Sequence, residues 1–124
     1  MNNDLTISTL SFKLNSLDAQ SGSKRTEVSR GVNLPTTMTV RHQEYTDSLT
    51  KKKGIRSVLR FDRYLEMADG SIAPVSAYLV VTAPQDTGVA TTDVQAVVEY
   101  IVNTIQEDDT GLNLADNLFV NREQ

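Results

Sequence analysis

Apolar residues at Leu5, Ile7, Leu10, Phe12 and Leu14 recur at nearly every second position. This is the period of a β-strand with one face turned to a core, with a slip near Ser8-Thr9 that reads as either a bulge or a turn. Asn15–Ser23 is rich in turn residues and reads as a loop. Arg25–Val32 is compatible with a short strand. Pro35 opens a new segment and favours an extended Leu34.

Three stronger strands follow. In Thr36–Thr46 one face carries Met38, Val40 and His42, and the other carries Thr37, Thr39, Arg41, Gln43 and Tyr45. Ser48–Gly54 is a loop with three consecutive lysines. In Ile55–Glu66, Ile55, Ser57, Leu59, Phe61 and Leu65 alternate with Arg56, Val58, Arg60, Asp62, Tyr64 and Glu66. Ala68-Asp69-Gly70-Ser71 is a tight turn, so Ile72–Ala83 pairs antiparallel with the strand before it. Its faces are Val75, Ala77, Leu79, Val81 and Ser76, Tyr78, Val80, Thr82. Pro74 suits a strand start or a sheet edge, because proline donates no ladder hydrogen bond.

After Pro84 the period changes. Val94, Val97, Val98, Ile101, Val102 and Ile105 fall on one helical face. Thr92 with Gln95 fits a capping box, and Asp93 suits the first turn. The acidic Glu107-Asp108-Asp109 opposes the dipole at a helix C-terminus, so the helix ends near Gln106. Leu112, Leu114, Ala115, Leu118 and Phe119 predict a second short helix, with Asn113 as its cap.

A length of 124 residues predicts a single domain, 1–124. The absence of cysteine excludes a disulfide framework, a thiolate nucleophile and a thiolate-bound metal. Met1-Asn2-Asn3-Asp4 has neither a basic nor an apolar region, so no secretory signal is expected. No apolar run approaches the ~18 residues of a membrane span. No nucleophile motif, phosphate loop or metal-ligand spacing occurs, so the reading is non-enzymatic, with no catalytic residue, metal or cofactor.

Strands followed by helices predict an α+β fold. Five strands at ~4.8 Å spacing make a sheet roughly 20–24 Å wide, whereas a helix is only ~10 Å across. One main helix and a short tail leave part of such a face bare. A second copy closes it by symmetry; the alternative is a smaller sheet in a compact monomer. The opposite face then carries Thr37, Thr39, Arg41, Gln43, Arg56, Arg60, Ser76, Tyr78 and Thr82. Arginines supply forked donors for phosphate, and Tyr78 offers a stacking plane for an unpaired base. A polar solvent side is also ordinary for an antiparallel sheet.

Charge sharpens this reading. Residues 1–63 carry a net +5 and residues 64–124 a net −9, within a whole-chain value of −4. Such asymmetry suggests a polyanion partner for the basic part; mutual neutralisation within the fold is the other explanation.

The strand Thr37-Met38-Thr39-Val40-Arg41-His42 resembles the central RNA-binding strand of the coat proteins of levivirus-like single-stranded RNA bacteriophages, where a Thr-x-Ser/Thr-x-Arg alternation faces the RNA. Ile55–Glu66, the Ala77-Tyr78-Leu79-Val80-Val81 strand and the helix from Thr91 follow in the same order, so the resemblance spans roughly the whole chain. It implies an N-terminal β-hairpin, a five-stranded antiparallel sheet and two C-terminal helices covering one face through an interlocked homodimer. Such dimers build a quasi-equivalent icosahedral shell in the bacterial cytoplasm, with the sheet facing inward to bind a genomic RNA hairpin for packaging and translational repression. Thr37, Thr39 and Arg41 map onto the RNA strand, and Arg56 and Arg60 onto phosphate-contacting positions. Tyr78, or Ser76 if counted back from Pro84, maps onto the base-stacking tyrosine. Gln43 shares their face, while Val58 and Val80 stand where more polar residues are expected. Met67–Ile72 resembles the loop around the five-fold and quasi-six-fold axes, although a hairpin turn explains it equally. The charge separation would then be radial, positive toward RNA. The competing functions are a small dimeric RNA-binding module and a phage scaffold protein that binds no RNA.

Remaining residues have plainer readings. His42, alone of its kind and on the core face, is a hydrogen-bonded structural residue. Lys51-Lys52-Lys53 is a solvated loop or a phosphate contact at the sheet edge. Asp62 either pairs across strands, orients an arginine or rejects a wrong RNA.

Overall fold

A computed structural model describes residues 4–18, 22–106, 108–109, 112–113, 119–120 and 122. The chain forms two compact units, Met1–Pro84 and Gln85–Gln124.

The first unit is a six-stranded antiparallel sheet in which every strand neighbours the next in sequence. Its strands are β1 (Leu5–Ile7), β2 (Leu10–Asp18), β3 (Gly22–Glu27), β4 (Thr36–Thr46), β5 (Lys53–Glu66) and β6 (Ile72–Pro84). The slip at Ser8-Thr9 is a turn: both residues have positive φ (51° and 65°), the signature of a two-residue type I′ hairpin. The hairpin's β1 extends the sheet to six strands where five were expected.

Asn15–Ser23, predicted as a loop, is instead largely strand. Leu14 pairs with Arg25 and Ser16 with Lys24, and the irregularity between them is a bulge at Asn15. The bulge breaks the period-2 signal and sends the Asn15 amide to the Thr26 hydroxyl. The strand predicted over Arg25–Val32 accordingly begins earlier and stops at Glu27. A turn follows, in which Gly31 N–H donates to the Val28 carbonyl at 2.9 Å. Arg30 pins this turn to β5 through the Tyr64 carbonyl at 3.1 Å.

The inner face carries aligned rows Arg25–Met38–Phe61–Ala77 and Ser23–Val40–Leu59–Leu79. Phe12 and Phe61 meet edge to face, centroids 5.8 Å apart. Their strands are three steps apart, about 14 Å in a flat sheet, so the sheet curls toward this face. Phe12 and Met38 are the buried apolar side chains among the described residues. Ser23, Arg25 and Glu27 are buried beside them, with Arg25 donating to the Ser23 hydroxyl at 2.8 Å. His42 shares this face but is exposed, and its Nδ1 lies 2.8 Å from the cross-strand Ser57 hydroxyl.

The β5–β6 turn falls where predicted. Met67 N–H donates to the Ser71 carbonyl at 2.7 Å, and Gly70 adopts the left-handed φ of 86°. Pro74, opposite Tyr64, lies in β6, the last strand of the sheet.

In the second unit, α1 spans Thr91–Gln106, ending where predicted. Its cap differs from the predicted Thr92/Gln95 box: the Asp93 carboxylate accepts from Ala90 N–H at 3.0 Å. Asp93 is at the third helical position, where it reaches back to the preceding orphan donor and complements the helix dipole. No α1 residue is fully buried, and Val97, Tyr100, Ile101, Val102 and Ile105 are exposed. Beyond it β7 (Asp108–Asp109) pairs with β8 (Leu112–Asn113). Leu112 and Asn113 thus lie in a strand, not at a helix start, and the core of the predicted second helix, 114–118, lies outside the described residues. Among the described residues no helix is long and apolar enough to cross a membrane.

Candidate nucleic-acid interface

The outer face of β4, β5 and β6 is set by an unbroken ladder. Its rows are Thr37–Asp62–Ser76, Thr39–Arg60–Tyr78, Arg41–Val58–Val80 and Gln43–Arg56–Thr82. Period-2 alternation and in-register pairing together put all eight predicted residues, Thr37, Thr39, Arg41, Gln43, Arg56, Arg60, Ser76 and Tyr78, on one face. Arg41, Gln43, Arg56, Arg60, Ser76 and Tyr78 are exposed, Thr39 is half-buried and Thr37 is buried.

Two arginine–tyrosine pairs flank an apolar strip on this surface. The Arg60 guanidinium lies 5.4 Å from the Tyr78 ring centroid, and that of Arg56 lies 5.5 Å from the Tyr45 ring. Both distances are within cation–π range. Between the pairs stand Val58 and Val80, with Arg41 beside them. Tyr45 lies flat because its cross-strand partner is Gly54: a β-carbon there would come within 2.6 Å of the ring.

Asp62 binds three strands together. Both its oxygens accept from Arg60 Nε at 3.0 Å, Ser76 donates its hydroxyl from β6, and Thr37 makes a long 3.5 Å contact from β4. Burial works to raise the Asp62 carboxyl pKa. The hydrogen bonds from Ser76 and Arg60, the Arg60 charge and the Thr37 hydroxyl outweigh it and hold the group below the usual carboxylate range. Of the sequence alternatives for Asp62, the geometry is that of an arginine-orienting carboxylate. Arg41 and Arg56 have no acidic partner among the described residues.

The sequence reading missed Lys13 and Lys24. The ladder sets Lys24 against Thr39 and Lys13 against Thr26, which neighbours Thr37, and both lysines are exposed on the same face. Ser23-Lys24-Arg25-Thr26-Glu27 is polar throughout, so it showed no alternation to reveal which way each side chain points. Tyr45 falls on this face by strand alternation, but nothing in the sequence marks its contact with Arg56. Among the described residues no cluster of His, Asp or Glu could hold a metal ion.

No family model matches the chain, and no curated protein matches it in sequence. Solved structures do match its fold. The virus-like particle of bacteriophage AVE015 superposes with a TM-score of 0.58 at 14% identity, over 80% of this chain and 69% of that one. The virus-like particle of bacteriophage GQ-112 gives 0.58 at 10% identity, over 89% and 80%. The chain therefore has the fold of phage virus-like particle subunits, in keeping with its resemblance to levivirus-like coat proteins.

Proposed function

We propose that the chain is the capsid subunit of a single-stranded RNA bacteriophage, a structural protein rather than an enzyme. Its outer sheet face binds genomic RNA hairpins inside the shell. The observation that carries this reading is the fold shared with phage virus-like particles over most of both chains. The exposed face with Arg41, Arg56, Lys24 and two tyrosines supports RNA as the ligand. Arg41 and Arg56 contact phosphate, whereas Thr39, Gln43 and Tyr78 meet unpaired bases. A hairpin held in this way is both packaged and withheld from translation.

The assembling unit is a homodimer. A chain of this length normally buries a substantial apolar core, yet Phe12 and Met38 alone are buried among apolar side chains of the described residues. Helix α1 leaves Val97, Ile101, Val102 and Ile105 exposed, and β6 ends the sheet with a 13-residue strand. Pairing two copies would cover such surfaces.

Expression of the chain alone in bacteria, followed by sedimentation and electron microscopy, tests the reading. Uniform closed shells containing RNA are expected. Dimers that bind RNA without forming shells would identify a simple RNA-binding module, and shells without RNA would identify a scaffold.

A further inference from the structure

The three arginines of the candidate interface are electrostatically unequal. Arg60 is held through Nε by both oxygens of Asp62, a carboxylate that is itself 90% buried and anchored by Ser76 and Thr37. Its guanidinium is also fixed over the Tyr78 ring. Arg41 and Arg56 carry no such counter-charge among the described residues. A phosphate approaching Arg60 meets a nearly neutral ion pair, and it must come close to a fixed negative charge to make contact. An unpaired base carries no charge to be repelled. It gains a guanidinium plane and an aromatic ring locked together, with the terminal guanidinium nitrogens still able to donate.

We propose that Asp62 is a specificity-determining positioning residue that converts Arg60 from a phosphate contact into part of a platform for one unpaired RNA base. This rests on the RNA-binding reading above and alters the phosphate role that the sequence resemblance implied for Arg60. Three strands contribute to the unit: Thr37 from β4, Arg60 and Asp62 from β5, and Ser76 and Tyr78 from β6. The platform thus depends on the register of the ladder as well as on its own side chains.

Salt dependence separates the two roles, because each phosphate neutralised by a cation contributes about 0.7 to the slope of log affinity against log salt for single-stranded nucleic acid. The probe is a pool of RNA hairpins with randomised loops, titrated against the full chain from low to high salt. Arg41→Ala and Arg56→Ala should each flatten the slope by about 0.7. Arg60→Ala should weaken binding about tenfold, the loss expected for one stacked base, at an unchanged slope. Asp62→Asn, its fold checked by circular dichroism, should steepen the slope by about 0.7 as the released Arg60 captures a phosphate.

A flattening by Arg60→Ala equal to that of Arg41→Ala would overturn the proposal while leaving RNA binding intact. So would an unchanged affinity in Arg60→Ala, which has an exposed side chain and does not depend on how Asp62→Asn folds. A wild-type chain that fails to bind the pool would instead overturn the RNA-binding reading, and this proposal with it.

Discussion

Arg60 and Tyr78 face each other directly across the β5–β6 ladder, with the guanidinium 5.4 Å from the ring centroid. The pair combines the two chemistries that unpaired RNA requires, a donor-bearing plane and an aromatic surface. Arg56 and Tyr45 repeat the combination diagonally between β4 and β5, where Gly54 makes room for the ring. In each case a strand neighbour, not a sequence neighbour, completes the unit.

Arg41→Ala should weaken hairpin binding without changing the oligomeric state, because Arg41 projects from the exposed face opposite Met38 and Val40. The loss should be about 1–3 kcal/mol, the usual worth of a charge-assisted contact. Gel-shift titration with parallel sedimentation checks both parts. Dissociation of the proposed dimer in this variant would reverse the assignment of the faces.

The Asp62 hub makes stability depend on acid. Its folded pKa is depressed, so its contribution is fully present above the unfolded carboxylate value of about 3.9 and is lost as pH falls through the lower folded value. Glu27 adds to this trend, its pKa lowered by the Ser29 hydroxyl and N–H and by the Arg30 and Arg63 charges. Thermal melts should show Asp62→Asn less stable than wild type at pH 7, with the gap closing below pH about 4. A gap independent of pH would mean that the ionised carboxylate contributes nothing.

Backbone conformation predicts three different outcomes at three positions of positive φ. Thr9 is β-branched at a φ of 65°, so Thr9→Gly should stabilise by about 0.5–1 kcal/mol despite the entropy of glycine. Gly70 has a φ of 86° and open space around it, so Gly70→Ala should cost about 1–2 kcal/mol. At Gly22, with a φ of 80°, an added β-carbon would lie 2.0 Å from the Val40 carbonyl oxygen. Gly22→Ala combines backbone strain with that clash and should cost about 3 kcal/mol or more. Urea denaturation of the three variants gives the order directly.

Strand β4 was legible to its last residue, and β5 and β6 nearly so, because hydroxyl, basic and apolar residues alternate there with an unbroken period of two. That regularity also made the common face of Thr37, Arg60 and Tyr78 legible. Strands β2 and β3 were not, because Asn15 inserts a bulge and β3 turns Ser23, Arg25 and Glu27 inward, so its buried side is as polar as its exposed side. The helix cap was misread for a related reason. Both Thr92/Gln95 and Asp93 fit the chemistry, and only the hydrogen bond to Ala90 distinguishes them. The hub at Asp62 needs partners from three strands, and their alignment follows from pairing register, which the composition of a single strand does not reveal.

Ultraviolet cross-linking of RNA to protein within assembled particles, read out by peptide mass spectrometry, tests the central claim most directly. Cross-links are expected on β4, β5 and β6 peptides, with Tyr78 and Tyr45 among the modified residues. Cross-links confined to Thr91–Gln106, with the sheet peptides unmodified, would contradict it.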